Sequence, residues 1–199
     1  MIKAILFDFG GVIAEEGFRE GLMEIGRKNG YDPDMFFRKS TDLVYESGYV
    51  YGRADESAYW KTIRSEFSIK GSDEELREEL LKRFVVRPEV IEIIKELKRP
   101  GMGIYILSDQ TNWLDELESK YHFFELFDEV FNSYHMQRTK RDRSLFSDIC
   151  NELGIPAKEA LFVDDNPANT ERAEKAGLKT ITYISSQELR DSLQKYIKS

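Results

Sequence analysis

The stretch that decides the fold is residues 3–12, KAILFDFGGV. Its apolar run, Ala4–Phe7, is typical of a strand buried in a parallel sheet. The run ends at the carboxylate of Asp8, and Gly10 and Gly11 then let the backbone turn sharply and approach a ligand. Open α/β sheets bind ligands at the carboxyl ends of their strands, which favours a ligand site at Asp8. The pattern fits equally well a strand that ends in a solvated aspartate, so Asp8 alone leaves both interpretations open.

Length and charge restrict the possible partners. The chain has 199 residues, of which 41% are hydrophobic, enough for one compact domain or a core with a modest insertion. Its formal net charge of −8 argues against nucleic acid and anionic membranes as partners. No apolar stretch approaches the length of a membrane span, and Asp8 interrupts the first apolar run too early for a signal peptide. The single cysteine, Cys150, is expected to be a small core residue. We expect a cytoplasmic protein, either a monomer or a homodimer.

Strands and helices alternate through most of the chain. The apolar runs that predict further strands lie at residues 104–107, 129–132, 160–163 and 180–184. Helical patterns separate these runs, and one such helix is predicted to begin at Asn166 and Pro167. This alternation predicts an α/β fold with a mostly parallel sheet and right-handed crossovers. The core is expected to comprise residues 1–14 and 86–199.

Residues 15–85, called the helical segment below, interrupt this alternation. Their patterns predict helices and no strand, including one helix from Pro33 through Phe37 and one that Ser72 caps. Residues 45–51 are aromatic with glycines nearby, which favours a turn between helices. At roughly 70 residues, the segment is much longer than an ordinary strand-to-helix connection. We therefore expect it to form a separate helical domain.

Polar side chains follow the predicted strands and suggest one shared site. They are Asp8, Ser108, Lys140, Asp164 and Asp165. The carboxyl ends of parallel strands share one edge, so these groups are predicted to converge. Carboxylates can hold Mg²⁺, a lysine can neutralise phosphate charge, and an aspartate can attack phosphorus as a nucleophile. Each residue alone could be a helix cap, a solvated charge or a polar turn, but their conjunction favours a phosphate site.

These residues resemble the motifs of the haloacid dehalogenase superfamily, in its phosphatase branch. DFGGV around Asp8, YILSD around Ser108, Lys140, and FVDDN around Asp164 and Asp165 match its four motifs in order. The resemblance covers nearly the whole chain. It implies a Rossmann-like parallel sheet with helices on both faces, and a helical cap inserted after the first strand.

The resemblance also implies catalytic roles. Asp8 would be the nucleophile, and Ser108, Asp109 and Lys140 would bind the substrate's phosphate. The third motif departs from the family pattern, because the usual Gly and Pro are missing around Lys140 although the spacing is kept. The position of Lys140 is therefore less firmly predicted than that of Asp8.

The implied metal is Mg²⁺, bound by Asp8, the backbone carbonyl of Gly10 and Asp165, with Asp164 behind them or bound through water. Family phosphatases usually have a second aspartate two residues after the nucleophile, as general acid and base. This chain has Gly10 there. Leaving-group protonation is thus in question, and such proton transfer typically contributes about 10²–10⁴ in rate.

The resemblance implies a Mg²⁺-dependent phosphatase that acts on a small phosphorylated metabolite, with a sugar phosphate as one candidate. GRADESAYW (residues 52–60) and LSDQTN (residues 107–112) resemble most the bacterial glucose-1-phosphatase-like group of subfamily IA. One alternative is a metal-independent dehalogenase, which DFGGV disfavours because it lacks an aromatic residue two places after Asp8. The other is a catalytically weak regulatory protein that binds a phospho-ligand, an interpretation that Gly10 keeps open.

Overall fold

A computed structural model describes residues 1–197 and contains one five-stranded sheet. The strands are Ala4–Phe7 (β1), Gly103–Ser108 (β2), Glu129–Asn132 (β3), Ala160–Asp164 (β4) and Lys179–Thr182 (β5). All pairs are parallel, in the order β3-β2-β1-β4-β5, so β1 is central. The predicted α/β parallel sheet is confirmed. Residues 198 and 199, which the sequence assigns to the core, lie outside the described residues.

The helices within residues 1–197 follow the predicted alternation. They are Gly17–Lys28 (α1), Pro33–Glu46 (α2), Glu56–Glu66 (α3), Asp73–Leu81 (α4), Pro88–Leu97 (α5), Trp113–Tyr121 (α6), Ser133–Met136 (α7), Leu145–Glu152 (α8), Pro167–Lys175 (α9) and Ser186–Ile197 (α10). Helix α2 continues well beyond Phe37, because Leu43 and Val44 extend its buried face. Strand β5 ends at Thr182 rather than 184, since β4 offers no partner beyond Asp164, and Ile184 is exposed.

Helices cover both faces of the sheet. Successive side chains of a strand point to opposite faces, and β1 follows this rule. Ile5 lies in an apolar cluster with Ile94 of α5 and Leu193 of α10. Leu6 lies in a second cluster, on the other face, with Phe146 of α8. Both faces of β1 are thus removed from water, which explains its continuous apolar sequence.

Helices α1 to α4 pack around an apolar cluster of their own. Its largest members, Tyr49, Tyr59 and Trp60, are fully buried, and Trp113 at the start of α6 completes it. The chain enters and leaves this region at one place, where Ala14 and Val86 form an antiparallel bridge and the Glu15 N–H donates to the Val85 carbonyl at 2.9 Å. In the part of the chain that is described, no helix combines the length and apolarity needed to cross a membrane.

Candidate active site

The carboxyl ends of β1, β2 and β4, together with the loop after α7, bring the predicted site residues together at one edge of the sheet. The Ser108 hydroxyl donates to Asp8 Oδ1 at 2.7 Å. Lys140 Nζ lies 2.6 Å from Asp8 Oδ2 and 2.7 Å from Asp164 Oδ2. The backbone N–H of Phe9 also donates to Asp8 Oδ1, at 2.7 Å. These contacts fix the orientation of the Asp8 carboxylate.

Lys140 is held in place from several directions. Its side chain is only 1% exposed, and its backbone N–H donates to Asp109 Oδ1 at 2.9 Å. Burial disfavours the ammonium ion, but the carboxylates of Asp164 and Asp8 outweigh it and raise the pKa of Lys140. Gln137 stands where the family pattern has glycine and adopts a left-handed φ of 56°. The loop therefore keeps a glycine-like bend although the glycine is lost.

Asp164 and Asp165 differ in what they can bind. Asp164 is fully buried, and besides Lys140 its carboxylate accepts from the Asn166 N–H at 2.8 Å and from the Asn169 side chain. Asp165 is half-buried and packs against Gly11. Burial, followed by the charge of Asp164, raises the pKa of Asp165. Its negative charge is therefore incompletely compensated by the protein.

The three carboxylates suit a hard divalent cation. Ligand oxygens of Asp8, Asp164 and Asp165 all lie within 4.8 Å of one another. Mg²⁺ prefers oxygen ligands and keeps several waters, so one or two carboxylates with nearby backbone oxygen suffice. The donor set and the uncompensated charge at Asp165 both fit this metal.

Asp109 connects the site to the helical segment. Its Oδ1 accepts from the Lys140 backbone, and its Oδ2 accepts from the Tyr45 hydroxyl at 3.2 Å. The guanidinium of Arg141 lies 3.5 Å from the centre of the Tyr45 ring. The sequence assigns Asp109 to phosphate binding, and in the structure both of its oxygens already have protein partners.

A cavity of about 120 Å³ lies between the sheet edge and the helical segment. The core contributes Asp8, Gly10, Ser108, Asp109, Gln110 and Thr111, and the helical segment contributes Glu16, Phe18, Thr41, Val44, Tyr45 and Val50. The wall from the helical segment is thus largely apolar, and Glu16 is its one carboxylate.

Glu16 is the residue of this cavity that the sequence reasoning missed. It caps the start of α1, where its Oε1 accepts from the Arg19 N–H at 3.3 Å. Burial, with the charge of Asp165 adding to it, raises the pKa of Glu16 to about 7. In the sequence, Glu15 and Glu16 together resemble the exposed acidic start of a helix, which does not indicate a site. The one signal in the sequence is that glutamate is an unusual residue at the start of a helix, since Ser, Thr, Asp and Asn are the favoured N-caps.

Comparisons with known proteins agree with this fold. A family model described as haloacid dehalogenase-like hydrolase matches residues 2–177. The enolase-phosphatase E1 of Aquifex aeolicus is 28% identical, over 92% of this chain and 91% of its own. The structure of a HAD-like family hydrolase from Porphyromonas gingivalis superposes with a TM-score of 0.78 at 22% identity, covering 100% of this chain and 99% of that one.

A further structural neighbour contains ligands. It is a HAD family enzyme from Bacteroides thetaiotaomicron in complex with magnesium and inorganic phosphate, with a TM-score of 0.72 and 22% identity over 92% of this chain and 95% of that one. At this identity the likeness shows the shared fold. The family model, by contrast, spans most of the 199 residues. The chain therefore belongs to the haloacid dehalogenase-like hydrolases and is a hydrolytic enzyme.

Proposed function

We propose that this hydrolase is a Mg²⁺-dependent phosphatase that acts on a small phosphate monoester through an aspartyl-phosphate on Asp8. One observation carries the proposal: the Asp8 carboxylate is held by Ser108 and Lys140 beside two further carboxylates. The enolase-phosphatase relative and the fold neighbour that contains magnesium and phosphate support a phosphoryl substrate.

Each site residue has a distinct role in the proposed reaction. Asp8 attacks phosphorus, and the bond between phosphorus and the leaving oxygen breaks. The Ser108 hydroxyl and the Lys140 ammonium contact the phosphoryl oxygens and stabilise the charge that develops on them. Mg²⁺, when bound, supplies further neutralisation of that charge. Water then attacks phosphorus, which releases phosphate and restores Asp8.

For the metal, we propose Asp8, the carbonyl of Gly10 and Asp165 as the protein ligands. Asp164 is assigned an indirect role, because Lys140 and the amide donors at the start of α9 already occupy its oxygens. It would contact the metal through water, and it keeps Lys140 in place. Asp109 positions the Lys140 loop and contributes to phosphate binding through that loop.

The finer classification is also a proposal. We propose that residues 15–85 form a cap over a core of residues 1–14 and 86–199, and that the protein belongs to the glucose-1-phosphatase-like group of subfamily IA. A sugar phosphate is then the first substrate to test. The cavity volume of about 120 Å³ supports a small leaving group. We further propose a cytoplasmic monomer or homodimer whose partners are small phosphorylated metabolites rather than nucleic acid or membrane.

The test is phosphate release from a panel of sugar, nucleotide and nitrophenyl phosphates, with Mg²⁺ and after chelation. We expect activity that chelation abolishes and Mg²⁺ restores. Asp8→Asn should reduce turnover to background in a protein that still unfolds cooperatively, since an amide cannot form the acyl-phosphate. Asp191→Asn, an exposed change on α10, is the matched control and should retain full activity.

Three results would contradict the proposal in different ways. Full activity after thorough chelation would favour a metal-independent reaction of the dehalogenase type. Phosphate binding without hydrolysis of any ester would favour a regulatory protein. Near-wild-type turnover in folded Asp8→Asn would exclude the covalent mechanism.

A further inference from the structure

Gly10 and Glu16 share one space beside the nucleophile. A Cβ atom built on Gly10 would lie 3.2 Å from Glu16 Oε2, closer than ordinary van der Waals contact. Both residues line the cavity that contains Asp8. The backbone at Gly10 does not have a left-handed φ, unlike that at Gly11, so it does not require glycine. The absence of a side chain at position 10 instead leaves room for the carboxyl group of Glu16.

The two oxygens of Glu16 have different environments. Oε1 accepts the Arg19 N–H at the start of α1. Among residues 1–197, Oε2 has no hydrogen-bonding partner and no lysine or arginine forms an ion pair with it. A shorter side chain would cap the helix as well or better. The extra methylene of glutamate is thus not needed for capping, but it places Oε2 over Gly10.

We propose that Glu16 is a catalytic residue, the carboxyl group that exchanges protons with the leaving group and with water beside Asp8. This inference rests on the proposed phosphatase function. In the first step the bond from Asp8 to phosphorus forms, the ester bond breaks, and the leaving oxygen takes a proton from Glu16. In the second step Glu16 takes a proton from the attacking water, the new bond from oxygen to phosphorus forms, and the aspartyl-phosphate bond breaks. Glu16 thereby regains its proton.

The first test compares Glu16→Gln with wild type on two esters. Glutamine keeps an acceptor for the Arg19 N–H but cannot donate a proton as an acid, so the helix cap is preserved. For an alkyl phosphate, whose leaving group needs a proton, we expect kcat/KM to fall about 10²–10⁴-fold. For nitrophenyl phosphate, whose leaving group departs unprotonated, kcat/KM should change little. Its kcat should fall with a burst of nitrophenolate, and mass spectrometry should find phosphoryl-Asp8 accumulating, because water attack lacks its base.

Matched variants separate this role from structure. Glu20→Gln, an exposed change on α1, should leave both esters unaffected. The double variant Gly10→Asp with Glu16→Ala moves the carboxyl group to the other residue that borders the same space. It should recover alkyl phosphate turnover relative to Gly10→Asn with Glu16→Ala, which has an amide of the same shape.

The possible failures are distinguishable. If wild type hydrolyses both esters and folded Glu16→Gln lowers both kcat/KM values equally or not at all, the role of Glu16 is wrong and the phosphatase function stands. Equal activity of the two double variants would also contradict the proton-transfer role. A wild-type protein that releases phosphate from no ester would overturn the proposed function and this inference together.

Discussion

Gly11 is the single residue whose lack of a side chain matters most to the proposed metal site. Its φ is +81°, and a built Cβ would lie 2.3 Å from Asp165 Cγ. Gly11→Ala should therefore displace Asp165 and weaken Mg²⁺ binding about tenfold or more, without removing any ligand. The strained backbone should add about 1–3 kcal/mol of destabilisation. Calorimetric titration with Mg²⁺ and denaturant unfolding measure the two effects separately.

Gly30→Ala is the control for Gly11→Ala. Gly30 has a similar φ of +78°, but a Cβ there would meet nothing within 4 Å. Gly30→Ala should therefore show the destabilisation that comes from the strained backbone and leave Mg²⁺ binding unchanged. Equal Mg²⁺ affinity in Gly11→Ala and wild type would contradict the assignment of Asp165 as a ligand.

The position of most site residues could be predicted because each follows directly on an apolar run. Asp8 follows β1, Ser108 and Asp164 end β2 and β4, and the parallel topology then brings them together. Glu16 could not be found in this way. Its position in the cavity depends on how α1 packs over Gly10, and no local pattern encodes that packing. The hydrogen bond from Tyr45 to Asp109 could not be predicted either, because it joins distant parts of the chain.

At the scale of elements, Glu79 joins α4 to α1. Its carboxylate accepts from Lys28 of α1 and from Lys82, each at 2.8 Å, and also from Arg83. Burial opposes ionisation, but these hydrogen bonds outweigh it and lower the pKa of Glu79 from 4.5 to about 2. Glu79→Gln should cost about 1–3 kcal/mol of unfolding free energy at neutral pH. Glu78→Gln, an exposed change on the same helix, should cost little.

The difference in unfolding free energy between wild type and Glu79→Gln should depend on pH with a definite sign. Because the pKa of Glu79 is lower in the folded state, its stabilising effect is fully present above pH 4.5 and disappears as the pH falls through about 2. Urea unfolding of wild type and Glu79→Gln between these pH values should show their unfolding free energies converging as the pH falls. A difference that stayed constant down to pH 2 would show that the charge of Glu79 is not the cause.

The ends of elements were harder to predict than their type. The strands at β3 and β4 agree with their apolar runs to within a residue. Helix α2 was predicted too short, because its buried face continues with Leu43 and Val44 only after polar residues. The turn expected over residues 45–51 is partly the end of this helix and partly a short 3-10 helix, Tyr49–Tyr51. Such boundaries depend on what packs against each face.

At the scale of the whole molecule, the proposed cap should be removable. A Cβ built on Gly17 would lie 2.7 Å from the Phe84 backbone N, so two glycines can replace residues 18–82. This deletion keeps Phe84, which stacks on Phe9 of the core. Trp113 would lose its cluster, so Trp113→Thr should accompany the deletion, and full-length Trp113→Thr is the control.

We expect the shortened protein to unfold cooperatively and to bind Mg²⁺. Its turnover of nitrophenyl phosphate should fall about tenfold or more relative to the control, because positioning contacts above Asp8 are lost. Thermal unfolding and phosphate release are the measurements. A shortened chain that cannot fold would show that residues 18–82 belong to the core and that the two-part architecture is wrong.

The bridge between Ala14 and Val86 has a consequence for how such a chain can change over generations. The strand pairing around β1 involves only residues outside the helical segment. It therefore does not depend on the sequence of that segment. Another helical sequence whose ends meet at the same spacing can be inherited in its place, while Asp8, Ser108 and Lys140 keep their neighbours. Descendants can thus acquire a new substrate by exchanging one contiguous piece of the gene, provided that the new piece supplies a carboxyl group where Glu16 now lines the cavity.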